Sequence, residues 1–140
     1  MNYKQIGQKV LIRLDSGEEI IESLRQICKE LNIRCGTIYG IGATNKVHMG
    51  LLNLKTKKYQ TQEFTGDYEI IPLMGNISTM NGEIYLHIHI NICNAKHESF
   101  GGHLTSAIVS ATCELTIEII DAQVIRKYDD NIGINQLTFQ

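Results

Sequence analysis

The run Glu83-Ile84-Tyr85-Leu86-His87-Ile88-His89-Ile90-Asn91-Ile92-Cys93 alternates apolar and polar side chains without a break. In an extended strand successive side chains point to opposite faces, so the isoleucines and the leucine share one face. The tyrosine, the two histidines and the asparagine share the other. The pattern predicts a β-strand with one buried and one polar face, and hence a sheet that covers a core.

One segment predicts a helix. Its apolar residues, between Ile20 and Leu31, recur every three or four positions and therefore lie on one helical face. We predict that the helix begins near Gly17, because Ser16 and Glu19 have the spacing of a capping box. The apolar face should pack against a sheet.

Most of the remaining chain has the composition of short strands, rich in β-branched and aromatic residues and separated by Gly, Asn and Asp. The predicted strands are 9–14, 36–39, 46–52, 58–64, 69–78, 83–93, 103–109 and 113–120. One helix against many strands predicts an α+β fold, a mixed and mostly antiparallel β-sheet with one main α-helix packed on it.

Pro72 lies inside a predicted strand, where its missing N–H indicates a bulge or an edge. The tail, residues 129–140, is too irregular for a simple strand, and we expect it to dock on a neighbour.

Length and composition limit the possible functions. A chain of 140 residues that is 43% hydrophobic has the size of one domain, so we predict a single domain over residues 1–140. The net charge of -2 does not attract a polyanion, so composition does not favour nucleic-acid binding. No apolar run reaches the roughly 18 residues of a membrane span, and we expect a cytoplasmic protein without a membrane partner. The four cysteines are widely spaced, and we predict that they are small buried hydrophobes.

Three histidines form the most informative pattern. His87 and His89 share the polar face of one strand, about 7 Å apart along the backbone, within reach of one metal ion. His103 follows Gly101 and Gly102, where the chain is predicted to return beside that strand, and glycines permit a close approach. Three neutral imidazoles are the ligand set of zinc sites that keep a fourth position open. These residues alone leave the alternative open that the pair is simply solvent-exposed or hydrogen-bonded.

Other candidates are weaker. Glu69 and Glu83 are the carboxylates nearest to the strands that carry the histidines, and each is a candidate to orient a ligand or act as a base, with a structural salt bridge as the alternative. His48 and His97 are predicted to be surface histidines. No cofactor-binding motif is present, since Gly40-Ile41-Gly42 precedes a strand pattern and indicates a bend or bulge instead of a dinucleotide loop. The basic run Lys55-Thr56-Lys57-Lys58 predicts a solvated hairpin turn, with phosphate contacts as the alternative.

Two segments, Leu86-His87-Ile88-His89 and Gly101-Gly102-His103-Leu104, resemble the signature of the plants-and-prokaryotes-conserved (PPC) domain. A third, Gly66-Asp67-Tyr68-Glu69-Ile70-Ile71, is similar to the family motif Gly-Arg-Phe-Glu-Ile-Leu, with Asp67 in place of the arginine. The resemblance covers nearly the whole chain. It implies a homotrimer in which His87, His89 and His103 form a metal site. The chain lacks the Arg-Gly-Arg-Pro hook of the plant members, and Asp67 reverses a charge that those proteins use for partner contacts.

Three functional hypotheses follow. The first is a trimeric regulatory or interaction module in which zinc, or another divalent transition metal, organises the histidine face while DNA or a protein partner docks elsewhere. The second is a metal-dependent enzyme, a hydrolase or lyase that acts on a small molecule at the three-histidine site. The third is a metal-free polar cluster at a subunit interface, whose stability should fall below about pH 6.5 as the imidazoles gain charge.

Overall fold

The structure is a computed structural model, and it describes residues 1–139. Its elements are β1 (Asn2–Ile6), β2 (Lys9–Asp15), α1 (Ile20–Glu30), β3 (Gly36–Asn53), β4 (Lys58–Met80), β5 (Glu83–Cys93), β6 (Ser99–Ile119), β7 (Ile125–Asp129) and β8 (Ile134–Thr138). The strands pair antiparallel, except that β4 and β7 pair in parallel through Thr79 and Ile125. The predicted α+β class, a mostly antiparallel sheet with one helix, is confirmed for the described residues.

Four strands close a ring. β3 pairs with β4 and β6, and β5 pairs with the same two strands from the other side. β1 and β2 extend the sheet beyond β6, and the β7–β8 hairpin extends it beyond β4. Because β5 and part of β6 belong to the ring, the histidine-bearing segments are held by neighbours on both sides.

Three strands are longer than predicted. Predicted strands 36–39 and 46–52 are parts of β3, 58–64 and 69–78 are parts of β4, and 103–109 and 113–120 fall largely in β6. Register shifts between Gly40 and Gly42, and between Ile70 and Leu73, let a strand bend without ending. The predicted bulges at Gly40 and Pro72 are confirmed, and because β4 is paired on both sides, Pro72 does not lie on an edge strand. Residues 55–57 lie in the exposed turn between β3 and β4, as predicted, and Lys58 begins β4.

The helix begins later than predicted. Glu19 is its N-cap and accepts a hydrogen bond from the Glu22 amide at 2.7 Å. The prediction of a start near Gly17, capped by Ser16, is therefore wrong. The reason is that Gly17 donates to the Val109 carbonyl at 2.8 Å, which ties this segment to β6 before the helix can start.

The apolar face of α1 is buried as predicted, and it packs against β5 and β6. Its fully buried residues are Ile20, Leu24, Ile27 and Cys28. The helix, eleven residues long, is too short to cross a membrane, and the described residues contain no helix long and apolar enough to do so. Cys28, Cys35 and Cys113 are buried and free, as predicted, while Cys93 is half-buried.

The tail forms a hairpin. β7 and β8 pair antiparallel from Ile125 opposite Thr138 to Asp129 opposite Ile134. The prediction that the tail contains no simple strand is wrong. Its docking partner in this structure is β4 of the same chain, and the hairpin thereby comes to lie beside the histidines.

Candidate metal centre

β5 and β6 bring the three predicted histidines together. His87 and His89 alternate along β5, and His103 on β6 lies directly opposite His89. The ring centroids are 5.1 Å apart for His87 and His89, 5.2 Å for His87 and His103, and 5.5 Å for His89 and His103. One nitrogen of each ring lies within 4.8 Å of the other two. Three imidazoles on two adjacent strands can therefore reach one ion.

The two glycines before His103 allow β6 to fit between its neighbours. A Cβ on Gly102 would lie 2.9 Å from the Gly50 carbonyl oxygen of β3, and one on Gly101 would lie 3.3 Å from the Ile90 carbonyl oxygen of β5. Side chains there would push β6 away from both strands. The close approach predicted from the sequence is what places His103 beside His89.

The Nδ1 atom of His103 is buried and has no hydrogen-bond partner among the described residues. Buried polar atoms in folded proteins almost always have a partner, so such an atom needs an explanation. A bound ion is one, because each imidazole nitrogen is a metal ligand in its neutral form. Three imidazoles fit zinc, and they fit other divalent transition metals as well.

An arginine that the sequence analysis did not single out lies against this cluster. Arg126 on β7 is only 6% exposed, and its Nη2 lies 3.4 Å from Nδ1 of His87. Its guanidinium lies 4.8 Å from the ring centroid of Tyr85, within cation–π range. It donates to three neutral oxygens: Ser78 Oγ at 2.9 Å, the Asn135 carbonyl at 2.7 Å and Asn76 Oδ1 at 2.7 Å. Within residues 1–139 it forms no salt bridge.

Burial and positive charge keep two of the imidazoles neutral. Burial lowers the pKa of His87 to about 4, and the positive charge of Arg126 adds to the effect. Burial also lowers the pKa of His103, with His89 and Arg126 as further causes. At neutral pH both rings are therefore in the form that binds a metal.

A cavity of about 380 Å³ opens beside the cluster. Its wall is formed by residues of β4, β5, β6, β7 and β8: Tyr59, Asn76, Tyr85, His87, His103, Arg126 and residues 134–137. Tyr59 packs on His103, with 5.1 Å between the ring centroids. A cavity of this size holds a small molecule.

The other predicted candidates lie elsewhere. Glu69 is exposed and lies between Ala43 and Cys93 in the sheet, while Glu83 is exposed at the start of β5. Neither lines the cavity. His48 is half-buried on β3 and His97 is exposed in a turn, and neither belongs to the cluster.

Comparisons with known proteins identify a family and several solved structures that this chain resembles. Residues 1–121 match the Plants and Prokaryotes Conserved (PCC) domain. A structure from Bacteroides thetaiotaomicron, described as a "putative DNA binding protein", is 37% identical with a TM-score of 0.96, over 99% of this chain and 96% of that one. A PPC protein from Pyrococcus horikoshii is 28% identical with a TM-score of 0.87, over 99% and 96%. A protein from Archaeoglobus fulgidus, described as metal-containing, is 26% identical with a TM-score of 0.88, over 99% of both chains. Among curated proteins, none matches.

Proposed function

The chain belongs to the Plants and Prokaryotes Conserved (PCC) domain family, and from this premise we propose that it is a metal-binding module in which His87, His89 and His103 hold one zinc ion or another divalent transition metal. The observation that carries the proposal is the convergence of the three imidazoles, with ligand atoms within 4.8 Å of one another. The unpartnered Nδ1 of His103 supports it. The A. fulgidus relative, described as metal-containing, supports it as well.

The fourth coordination position decides between a regulatory module and an enzyme. Three histidines leave that position free for water, a partner group or a substrate. The cavity next to His87 and His103 favours a small molecule there and so supports a metal-dependent hydrolase or lyase as the second candidate. Bound zinc would supply an acidified water or polarise a carbonyl. An enzyme would need a proton-transfer group other than Glu69 or Glu83, because neither lines the cavity of this chain.

The DNA-associated role is supported by the description of the B. thetaiotaomicron relative. The net charge of -2 gives no general attraction to a polyanion, so binding would depend on a local patch such as the exposed segment 55–58. A mobility shift of duplex DNA at low salt, lost when Lys55, Lys57 and Lys58 are replaced by Gln, would support this role. Unchanged mobility at protein concentrations of about 0.1 mM would contradict it.

The homotrimer belongs to the same proposal. Exposed apolar side chains support self-association: Leu11 is 48% exposed, Tyr39 43% and Ile41 59%, and all three line one groove. Ile41 also lines a second hollow together with Ile71, so the apolar surface is continuous. Light scattering of the wild type should give three times the mass of one chain. The variant Ile41→Glu should give the mass of a single chain, because a charge on the apolar surface opposes association.

Elemental analysis tests the metal site. Protein purified without an affinity tag should carry about one metal per chain, and the variant His87→Ala/His89→Ala/His103→Ala should carry none. The matched control is His48→Ala/His97→Ala, which removes two histidines outside the cluster and should keep the metal. Equal metal in all three proteins, or none in any of them after reconstitution with zinc, would contradict the proposal. If the protein is an enzyme, His89→Ala should lose metal and turnover together.

A further inference from the structure

Arg126 carries a buried positive charge without a negative partner among the described residues. The residue is 6% exposed, and among residues 1–139 its hydrogen-bond partners are neutral: three oxygens and the imidazole of His87. Buried charges in proteins are normally paired with an opposite charge, because neutral dipoles replace only part of the lost hydration. None of the residues 1–139 that line the adjacent cavity is acidic. A negative group from outside the chain would complete this arrangement.

The contact between Arg126 and His87 links such a group to the metal. Nδ1 of His87 can accept a hydrogen bond from Nη2 only while it carries no proton, so the proton of the neutral ring then sits on Nε2. A metal bound at Nε2 moves that proton to Nδ1, and a metal bound at Nδ1 takes the lone pair. In either case the hydrogen bond is lost and one N–H of Arg126 becomes free to donate.

The cavity suits a singly charged ligand with an apolar body. Arg126 provides one positive charge. Four of its five N–H groups have partners in the metal-free protein, and three have partners once a metal at His87 releases the fourth. A carboxylate needs fewer donors than a phosphate does, and its planar shape matches a guanidinium. Tyr59, Ile134 and Leu137 form apolar parts of the wall around it.

We propose that this cavity binds a small molecule with one carboxylate group, which pairs with Arg126, and that metal binding at the histidines strengthens the interaction. The second half rests on the proposed metal site, and the first half does not. Because the coupling between two binding equilibria is reciprocal, the carboxylate should also tighten metal binding by the same factor.

Isothermal titration with benzoate and with benzamide tests the proposal. The two probes have nearly the same shape, but only benzoate carries a charge. We expect benzoate to bind the metal-free wild type about tenfold more tightly than benzamide, and the zinc-loaded protein to bind benzoate about tenfold more tightly again. Equal affinity for the two probes would overturn the proposal, as would a cavity that binds neither.

Arg126→Gln should abolish the preference for benzoate, while Arg34→Gln should keep it. Arg34 is exposed, and within the described part of the chain its side chain bonds only to the Gly82 carbonyl. Retention of the preference in Arg126→Gln would overturn the assignment. If that variant does not fold, the guanidinium ¹⁵N resonances of Arg126 in the wild type serve instead. They should shift with benzoate and not with benzamide, and the absence of this difference would overturn the proposal.

The two proposals fail separately. A protein that binds one zinc per chain but does not distinguish benzoate from benzamide keeps the metal site and refutes the carboxylate site. A protein that binds no zinc but prefers benzoate refutes the metal site and keeps the role of Arg126. If a carboxylate of a second copy of the chain pairs with Arg126, benzoate gains no advantage, and the proposal is refuted.

Discussion

The two faces of β5 have opposite properties. On one face Ile88, Ile90 and Ile92 are 1%, 2% and 0% exposed and belong to the hydrophobic core. On the other, His87 is half-buried and His89 is exposed, and next to them lie an unpartnered nitrogen and an unpaired charge. One face satisfies its groups by packing, whereas the other has a buried nitrogen and a buried positive charge without partners of matching kind among residues 1–139. Stability and function should therefore respond to different substitutions along the same strand.

Removal of one histidine should have the largest effect of these substitutions. It should lower the affinity for zinc and leave the stability of the metal-free fold nearly unchanged. In His103→Ala we expect zinc affinity to fall about a thousandfold, equivalent to about 4 kcal/mol, because one ligand of a small set is lost. The free energy of unfolding of the metal-free protein should change by less than about 1 kcal/mol, since the deleted ring includes a buried nitrogen without a partner. Chelator competition and urea denaturation measure the two quantities.

The matched control for this comparison is His48→Ala on β3, which should leave zinc affinity unchanged. If His103→Ala destabilises the metal-free fold by as much as a core truncation, the two faces are not separable.

Truncation on the core face should show the reverse. Ile88→Ala removes a side chain that is 1% exposed, and we expect a loss of about 3 kcal/mol in the free energy of unfolding from lost burial and a residual cavity. The number of zinc ions per chain should stay the same under conditions where the variant is folded. Ile6→Ala, at a side chain that is 56% exposed, should cost less than about 1 kcal/mol. Loss of zinc from folded Ile88→Ala would show that the packing of the core sets the ligand positions.

The sequence allowed both faces of β5 to be predicted because strand alternation has a period of two and this segment follows it without exception. The position of His103 was predictable for a related reason, since two glycines before a histidine indicate a close approach of backbones. The long bent strands were not predicted as single elements, because bulges at Gly40 and Pro72 interrupt the local pattern while the hydrogen-bonded ladder continues.

Arg126 was missed because its role depends on long-range pairing. It lies in a five-residue strand that joins the sheet through one parallel pairing, of Thr79 with Ile125, and no local motif marks it. The helix start was missed for a similar reason. Gly17 and Glu18, which lie between the two residues that resemble a capping box, are hydrogen-bonded to Val109 of β6, about ninety positions later in the chain.

Acidification should lower the stability of the metal-free protein through the histidines on the polar face of β5, without any substitution. The pKa of His87 is about 4 in the fold, compared with 6.5 for an ordinary histidine, because of burial and of Arg126, His103 and His89 around it. Between these two values the unfolded chain binds a proton that the fold does not, so stability is lost as the pH falls from about 6.5 to 4. For the metal-free protein we expect a loss of about 2 kcal/mol, less than the full shift implies because the ring is only half-buried.

Urea denaturation at a series of pH values measures this loss, and His87→Gln provides the control because it removes the titrating ring. A variant with the same pH dependence as the wild type between pH 6.5 and 4 would assign the effect to other groups. Ile6→Ala, which changes no titratable group, should retain the wild-type pH dependence.

The smallest effects are expected at the two carboxylates that the sequence offered as proton-transfer groups. Glu69→Gln and Glu83→Gln should each change the free energy of unfolding by less than about 0.5 kcal/mol and leave zinc affinity unchanged, because both side chains are exposed and outside the cavity. Chelator competition on the purified variants measures this. A tenfold loss of zinc affinity in either variant would show that a second copy of the chain brings that carboxylate to the histidines. The polar face of β5 would then be completed by assembly, whereas its apolar face is complete within one chain.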